Sequence, residues 1–382
     1  MTKYSGAFTL QAQMQNAAAS TWARAPGAPT IGTASVASGT SASITFTPPT
    51  DLGIGTITYT ATSSPTGITG TGSSSPITVS GLTTGSSYTF TVTASTPSGS
   101  GPASAASNSI TMIIQGQQQY TSPGSYTWVA PTGVTSVSVI AVGHGGYGGS
   151  RFYCCAYFSG SGGSGGALAY TNNFSVTPGN SYAVFIGTQS GACAPSSFSS
   201  FNSTTVKANG GNASVQGFAN AGGTVANGTG FAGGETPSIS NNSQGGGGGG
   251  GGGGYTAVGG AGGKSFISCG LGGSSTGGGG GGGAGGKNGP WPGSGGGGVG
   301  ILGAGANGTG SSCNAGGGGG SGGANGGNAT RLYSAGYGGA YGGGGGGSWY
   351  CANVQQPGGS GAVRIIWPGT TRSFPSTNTG NL

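Results

Sequence analysis

The chain has 382 residues, 98 of them glycine, with nine Lys or Arg, two acidic residues (Asp51 and Glu235) and a single histidine, His144. Hydrophobic residues make up 33% and charged residues 3%, against roughly 45–50% and about 25% in ordinary globular domains. This excludes both a large conventional core and a highly charged disordered chain. The net charge of +7 comes from scattered cations, which argues against nucleic-acid binding and leaves a mild attraction to anionic surface polymers.

Residues 1–20, MTKYSGAFTLQAQMQNAAAS, lack the unbroken apolar region of a secretory leader. No stretch approaches the roughly 18 apolar residues of a membrane span, so the expectation is synthesis in a cytoplasm without membrane insertion. Within residues 1–25, Leu10 and Met14 stand at helical spacing with Phe8 and Trp22 nearby. One short amphipathic helix is expected there. Alone it would be marginal in water, so it is expected to dock, either on a larger assembly or on the neighbouring domain.

From residue 26 to 115 the pattern changes. SASITFTPP (41–49), TITYTATSS (56–64), PITVSGL (76–82) and SYTFTVTAST (87–96) alternate apolar and small polar residues between Gly, Pro and Ser punctuation. Short strands at this spacing predict an antiparallel sandwich. Leu82 lies six residues before Tyr88, where a tyrosine corner would form, and the stretch holds no cysteine. It resembles a fibronectin type III module over its full length. One departure is Phe46, where that family more often has Trp. Such modules space or bind and seldom catalyse.

Residues 116–370 read as a glycine-rich domain within a β frame. TSVSVIAV (135–142) is a strand, GALAYTNNFSVTPGNSYAVFIGT (166–188) is two strands joined at Pro178-Gly179, and GSGAVRIIWPG (359–369) is another, with Val363, Ile365 and Trp367 on one face. The frame is thus expected over 120–188 and 359–369, with a polyglycine bundle over about 190–358 and a tail over 371–382. The longest glycine run is Gly245–Gly254; others occur in 276–286, 293–300, 315–327 and 341–349. Collagen is excluded, since the Gly-X-Y period is absent. Polyproline II-type helices have three residues per turn and no internal hydrogen bonds, so all-glycine chains can pack closely and bond laterally. Ordering each backbone costs ~1–2 kcal/mol and each lateral bond returns only ~1 kcal/mol. Aromatic residues, the β frame or disulfides must therefore help. A packed bundle is expected, with flexible coil as the alternative.

SYTWVAPTGVTSVSVIAVGHGGYGG (125–149) resembles the opening motif of glycine-rich domains in tailed-phage fibre and adhesin proteins. GAVRIIWPGTTRSFPSTNTGNL (361–382) is similar to C-termini of such proteins, and SGAFTLQAQMQNAAASTWARAPGAPTIG (5–32) to the leader before their fibronectin-type modules. The resemblance implies a mostly β virion subunit, made in the host cytoplasm and exposed on the tail. Its implied partners are other tail proteins, met through Phe8, Leu10, Met14 and Trp22, and a host-surface glycan or outer-membrane protein. In some family members, loops at the end of a polyglycine bundle contact the receptor. A purely structural, self-associating fibre subunit and a bacterial surface or matrix protein are the alternatives.

Cys154, Cys155, Cys193, Cys269, Cys313 and Cys351 suit disulfides or free buried thiols, and their connectivity is not readable. They show no zinc spacing, and His144 cannot complete a zinc site. VGGAGGKS (258–265) falls short of a phosphate loop because Val258 replaces its first glycine and no strand–helix context is evident. Asn-x-Ser/Thr triplets at Asn173, Asn212 and Asn307 are expected by chance at this composition. Two carboxylates and one histidine give no persuasive catalytic set, so no enzyme, metal or cofactor is expected.

The candidate receptor contacts are Tyr147, Arg151, Phe152, Tyr153, Tyr157 and Phe158 in YGGSRFYCCAYF, Trp291 in NGPWPG, Arg331 and Tyr333 in RLYSAGY, and Trp349 and Tyr350 in SWY. Tyr, Trp and Arg dominate binding hot spots. The plainer reading of any one ring is an apolar plate sealing the glycine layers.

Overall fold

The computed structural model describes residues 24–113, 115–149, 160–188, 197–213, 219–238, 246–264, 270–286, 292–304, 306–310, 316–329, 335–347 and 356–376. The chain divides into two compact units, Met1–Ile114 and Gln115–Leu382. All regular structure among the described residues is β. The helix expected within 1–25 lies outside them.

In the first unit the period-two segments become strands: β1 (Thr30–Ser38), β2 (Ser41–Thr47), β3 (Thr58–Ser64), β4 (Thr69–Gly72), β5 (Ile77–Ser80), β6 (Ser87–Thr96), β7 (Gly99–Ala103) and β8 (Ile110–Thr111). One sheet runs β1-β2-β5 and the other β4-β3-β6-β7, with β8 also on β6. Alternation sends Ile44, Phe46, Tyr59, Val79, Phe90 and Val92 into one core, and each large side chain buried there contributes about 1.5–3 kcal/mol. Phe46 fills its place against Tyr59 with ring centroids 4.7 Å apart. The tyrosine corner forms: Tyr88 Oη accepts from the Thr83 N–H at 3.1 Å. Arg24 pairs with Asp51 at the surface, a contact worth at most about 1 kcal/mol.

The second unit contains β9 (Gly116–Tyr120), β10 (Gly124–Val129), β11 (Ser136–Val142), β12 (Leu168–Ser175), β13 (Ser181–Ile186), β14 (Phe198–Phe201), β15 (Val206–Asn209), β16 (Val225–Asn227), β17 (Thr229–Phe231) and β18 (Ala362–Trp367). One sheet is ordered β17-β12-β11-β18-β9, the other β10-β13-β14-β15-β16, all antiparallel. Trp128 of β10 meets Trp367 of β18 at 5.7 Å and Phe201 of β14 at 6.1 Å, and Phe174 meets Phe201 edge-on. These contacts weld the sheets face to face. The opposite face of the first sheet presents Ile140, Val142, Leu168, Tyr170 and Ile366 to Tyr255, Val299 and Ile301 of the glycine region. Covered on both faces, β11 and β18 are buried at every residue, which is why each reads as a nearly continuous apolar run.

The glycine region differs from expectation in its limits. Residues 143–149 and 160–167, placed in the β frame by sequence, are extended tracts continuing out of β11 and back into β12. Their His144, Tyr147, Ser161 and Ser164 disguised them. Conversely, β14 to β17 fall inside the stretch assigned to the bundle.

Candidate functional site

The tract 246–254, which holds most of the ten-glycine run, explains why the run is pure glycine. Gly247, Gly250 and Gly253 donate to Gly160, Gly163 and Gly166 at 2.8–3.0 Å. Gly249 and Gly252 donate to Ser294 and Gly297, while Gly248, Gly251 and Gly254 donate to Gly263, Gly260 and Ala257. Its carbonyls in turn accept from Gly280, Gly283 and Gly286, from Gly344 and Gly347, and from Gly234. Every third residue therefore serves the same neighbour, as three residues per turn require. The tract is ringed by six others: 160–167, 292–300, 257–264, 278–286, 342–347 and 232–238. A Cβ on Gly251 would overlap the Gly280 carbonyl, and one on Gly250 the Gly234 carbonyl. The tract is packed rather than a tether.

Edge tracts show the same period in their side chains. Val258, Ala261 and Lys264 are exposed while the glycines between them are buried, and Asn325 and Asn328 repeat the pattern. The two asparagines accept through Oδ1 from the N–H groups of Gly319 and Gly316, at 2.7 and 2.8 Å. Asn307 does the same for Gly278 at 2.9 Å. Side-chain amides thus close the backbone accounting at the bundle edge. Lys264 of the near phosphate loop belongs to an outward row, and the N–H groups of Gly259, Gly260, Gly262 and Gly263 already serve other carbonyls. No phosphate cradle forms there.

The hydrogen-bond register fixes the direction of each tract. Residues 143–149, 232–238, 257–264, 278–286, 306–310, 323–329 and 342–347 run away from the sheets, and 160–167, 246–254, 270–275, 292–300, 316–320, 335–340 and 356–361 run back. Turns at 255–257, 276–278, 301–304, 321–322 and 340–342 therefore lie on the sheet side. The described tracts 143–149, 232–238, 257–264, 278–286, 306–310, 323–329 and 342–347 therefore end, and the returning tracts begin, on the side away from the sheets. Of the candidate contacts, Tyr147 is half-buried in an outgoing tract. Arg151, Phe152, Tyr153, Tyr157, Phe158, Trp291, Arg331, Tyr333, Trp349 and Tyr350 lie outside the described residues, as do Phe8, Leu10, Met14, Trp22 and the six cysteines. Tyr337, 58% exposed on tract 335–340, was not singled out from the sequence, though it ends the RLYSAGY stretch.

The sheet side is a polar anchor. Tyr255 Oη donates to the Gly300 carbonyl at 3.1 Å and accepts from the Gly303 N–H at 3.0 Å, and burial raises its pKa. Arg364, fully buried in β18, donates through Nε to Gln117 Oε1 at 3.1 Å and through Nη1 to the Ile301 carbonyl at 3.0 Å. Burial, with Arg372 nearby, pushes its guanidinium down to about 10, still charged at neutral pH. His144 is also buried. Its Nε2 accepts from the Ser197 N–H at 3.1 Å, which leaves the proton on Nδ1 to bond the Gly145 carbonyl at 2.9 Å. Burial lowers its pKa. Among the described residues no group of three or more His, Cys, Asp or Glu could hold a metal ion, and no helix is long and apolar enough to cross a membrane.

Residues 27–110 match the fibronectin type III domain. Residues 121–368, more than half of the chain, match the family described as glycine-rich domain. The chain belongs to the glycine-rich domain family. A glycine-rich domain beside a fibronectin type III domain fits an extracellular or adhesion-type structural protein. Neither match connects the glycine-rich domain to phage tail fibres. The crystal structure of chicken CNTN1 FN1-FN3 domains is similar at 13% identity with a TM-score of 0.23 over 42% of this chain, and the chain spans 61% of that structure's length. No curated protein matches.

Proposed function

We propose that the protein is a non-enzymatic phage virion subunit, a tail fibre or adhesin, that attaches to a host surface through the outward connections of its polyglycine bundle. What supports this reading is that the described tract ends flanking the stretches with Arg151, Trp291, Arg331 and Trp349 lie on the side of the bundle away from the sheets. Loops on a rigid scaffold are where binding residues concentrate, and joint display lets weak contacts add. The 1–25 segment would join other tail proteins, and a surface glycan or outer-membrane protein would be the receptor. Residues 26–115 would act as a spacer.

The test is saturable binding of labelled full-length protein to host cells, repeated with Trp291→Ala and Arg151→Ala variants of unchanged unfolding midpoint. Binding lost in the variants supports attachment through these connections. Unchanged binding removes them from the contact. A second reading, a purely structural subunit that packs on its own kind, is favoured by Val258 and Leu271, 54% and 69% exposed on adjacent edge tracts. Concentration-dependent polymers in sedimentation, abolished by Leu271→Ser, would support it.

A further inference from the structure

The outer face of the β10-β13-β14-β15-β16 sheet carries a built surface that the reading above leaves unused. Cross-strand register puts Ser125, Phe185, Ser200, Lys207 and Asn227 in one row across all five strands, on the face opposite the Trp128 and Phe201 cluster. At ~4.8 Å between strands the row spans roughly 19 Å. Phe198, two residues before Ser200 on the same face, completes it. Its ring lies 5.1 Å from that of Phe185, tilted by 50°, and Lys207 Nζ stands 3.8 Å from its centroid. Both rings remain partly open to solvent, whereas Ser200 beneath them is buried. The two rings are set at an angle to each other, and the cation–π contact seats the ammonium over the face of Phe198.

Charge is the second argument. Asp51 and Glu235, the only acids in the chain, lie in the first unit and in tract 232–238, so no strand of this sheet carries an acid. A surface with apolar rings, one positioned cation and flanking hydroxyl and amide groups matches a ligand with C–H faces, hydroxyls and negative charge along an extended chain. We propose that this sheet face binds an anionic polysaccharide bearing uronic acids, stacking a sugar ring on Phe185 and pairing a carboxylate with the Lys207 ammonium that Phe198 holds in place. The surface belongs to the β frame, apart from the outward connections proposed to contact the host.

Affinity electrophoresis of the full chain through gels containing polygalacturonate or, separately, neutral dextran tests it without host cells. The expected result is retardation by polygalacturonate and none by dextran. Lys207→Gln and Phe198→Leu should each weaken retention about tenfold, the scale of one lost ion pair or ring stack in an interface. Lys264→Gln removes the same charge from an exposed edge tract and should change retention little. Absence of retardation at low salt would overturn the proposal. So would equal loss in the Lys207 and Lys264 variants, which would reduce the effect to net charge. Since both Phe198 and Lys207 face outward, unchanged unfolding midpoints in their variants confirm that binding alone is read. Loss of cell attachment with gel retention intact would separate failure of the host-contact reading from failure of this one.

Discussion

The guanidinium of Arg364 donates to the carbonyl of Ile301 at 3.0 Å, joining the last strand of the frame to a turn sixty-three positions earlier in the chain. The bond fastens the sheet side of the glycine bundle to β18. Arg364→Met should lower the stability of the glycine-rich unit by about 3 kcal/mol, because it takes the charged donor from the buried Ile301 carbonyl and from the half-buried Gln117. Urea unfolding followed by tryptophan fluorescence measures this, with Arg364→Lys expected to fall between.

Tyr255→Phe keeps the ring and removes the hydroxyl. The Gly300 carbonyl and Gly303 N–H lose a shared partner, and the expected cost is about 1–3 kcal/mol. Because burial raises the pKa of this phenol, as it does those of Tyr59, Tyr120, Tyr170 and Tyr341, an ultraviolet pH titration of the native protein should show fewer tyrosines in the ordinary range than the same titration in urea.

Inside the bundle a single methyl is decisive. Gly251→Ala drives a Cβ into the Gly280 carbonyl and should cost about 3 kcal/mol or more, at the upper end for overpacking. Ala261→Ser, on an exposed edge position, should change the unfolding midpoint by less than about 0.5 kcal/mol equivalent.

At the edge, Asn328→Ala removes the acceptor for the Gly316 N–H and should cost about 1 kcal/mol. Asn328→Asp keeps an acceptor oxygen and should retain most of that. Amide hydrogen exchange at Gly316 is the local readout, faster in the alanine variant.

Acid should weaken the fold through His144. Burial holds its folded pKa below the ordinary value, so below the unfolded pKa of about 6.5 the unfolded chain takes up a proton that the folded one refuses. Stability should be level above neutrality. It should fall as pH drops through 6.5, with a slope of at most ~1.4 kcal/mol per pH unit, until the folded pKa is reached. His144→Gln, which can still accept from Ser197, should flatten that limb in urea titrations between pH 7 and 5.

Much of this was legible. Alternation at 41–47, 58–64, 77–80 and 87–96 marked strands because one face of each is buried. The spacing of Leu82 and Tyr88 located the corner, and uninterrupted glycine implied close backbone approach. The missed tracts, 143–149 and 160–167, contain side chains wherever the third-residue rule leaves room, so they were placed with the β frame. That rule was present in Val258, Ala261 and Lys264, and in Asn325 and Asn328, but a three-residue repeat diluted by glycine resembles composition. Phe185, Phe198 and Lys207 could not be joined from sequence, since cross-strand register brings them together. Nor could the direction of the tracts, which follows from hydrogen bonds between residues as distant as Gly163 and Gly345.

Ten identical residues carry no positional information. Sliding the central tract by one residue along its axis would exchange glycine for glycine and leave every lateral bond with an equivalent replacement, at an axial offset of about 3.1 Å. Only Tyr255, seated between Gly300 and Gly303, tells that tract where it must stop. Gaining or losing one glycine in this run should therefore leave the bundle intact. The same slip between Val258 and Lys264 would turn outward side chains into the lattice, so the edges rather than the centre guard the register.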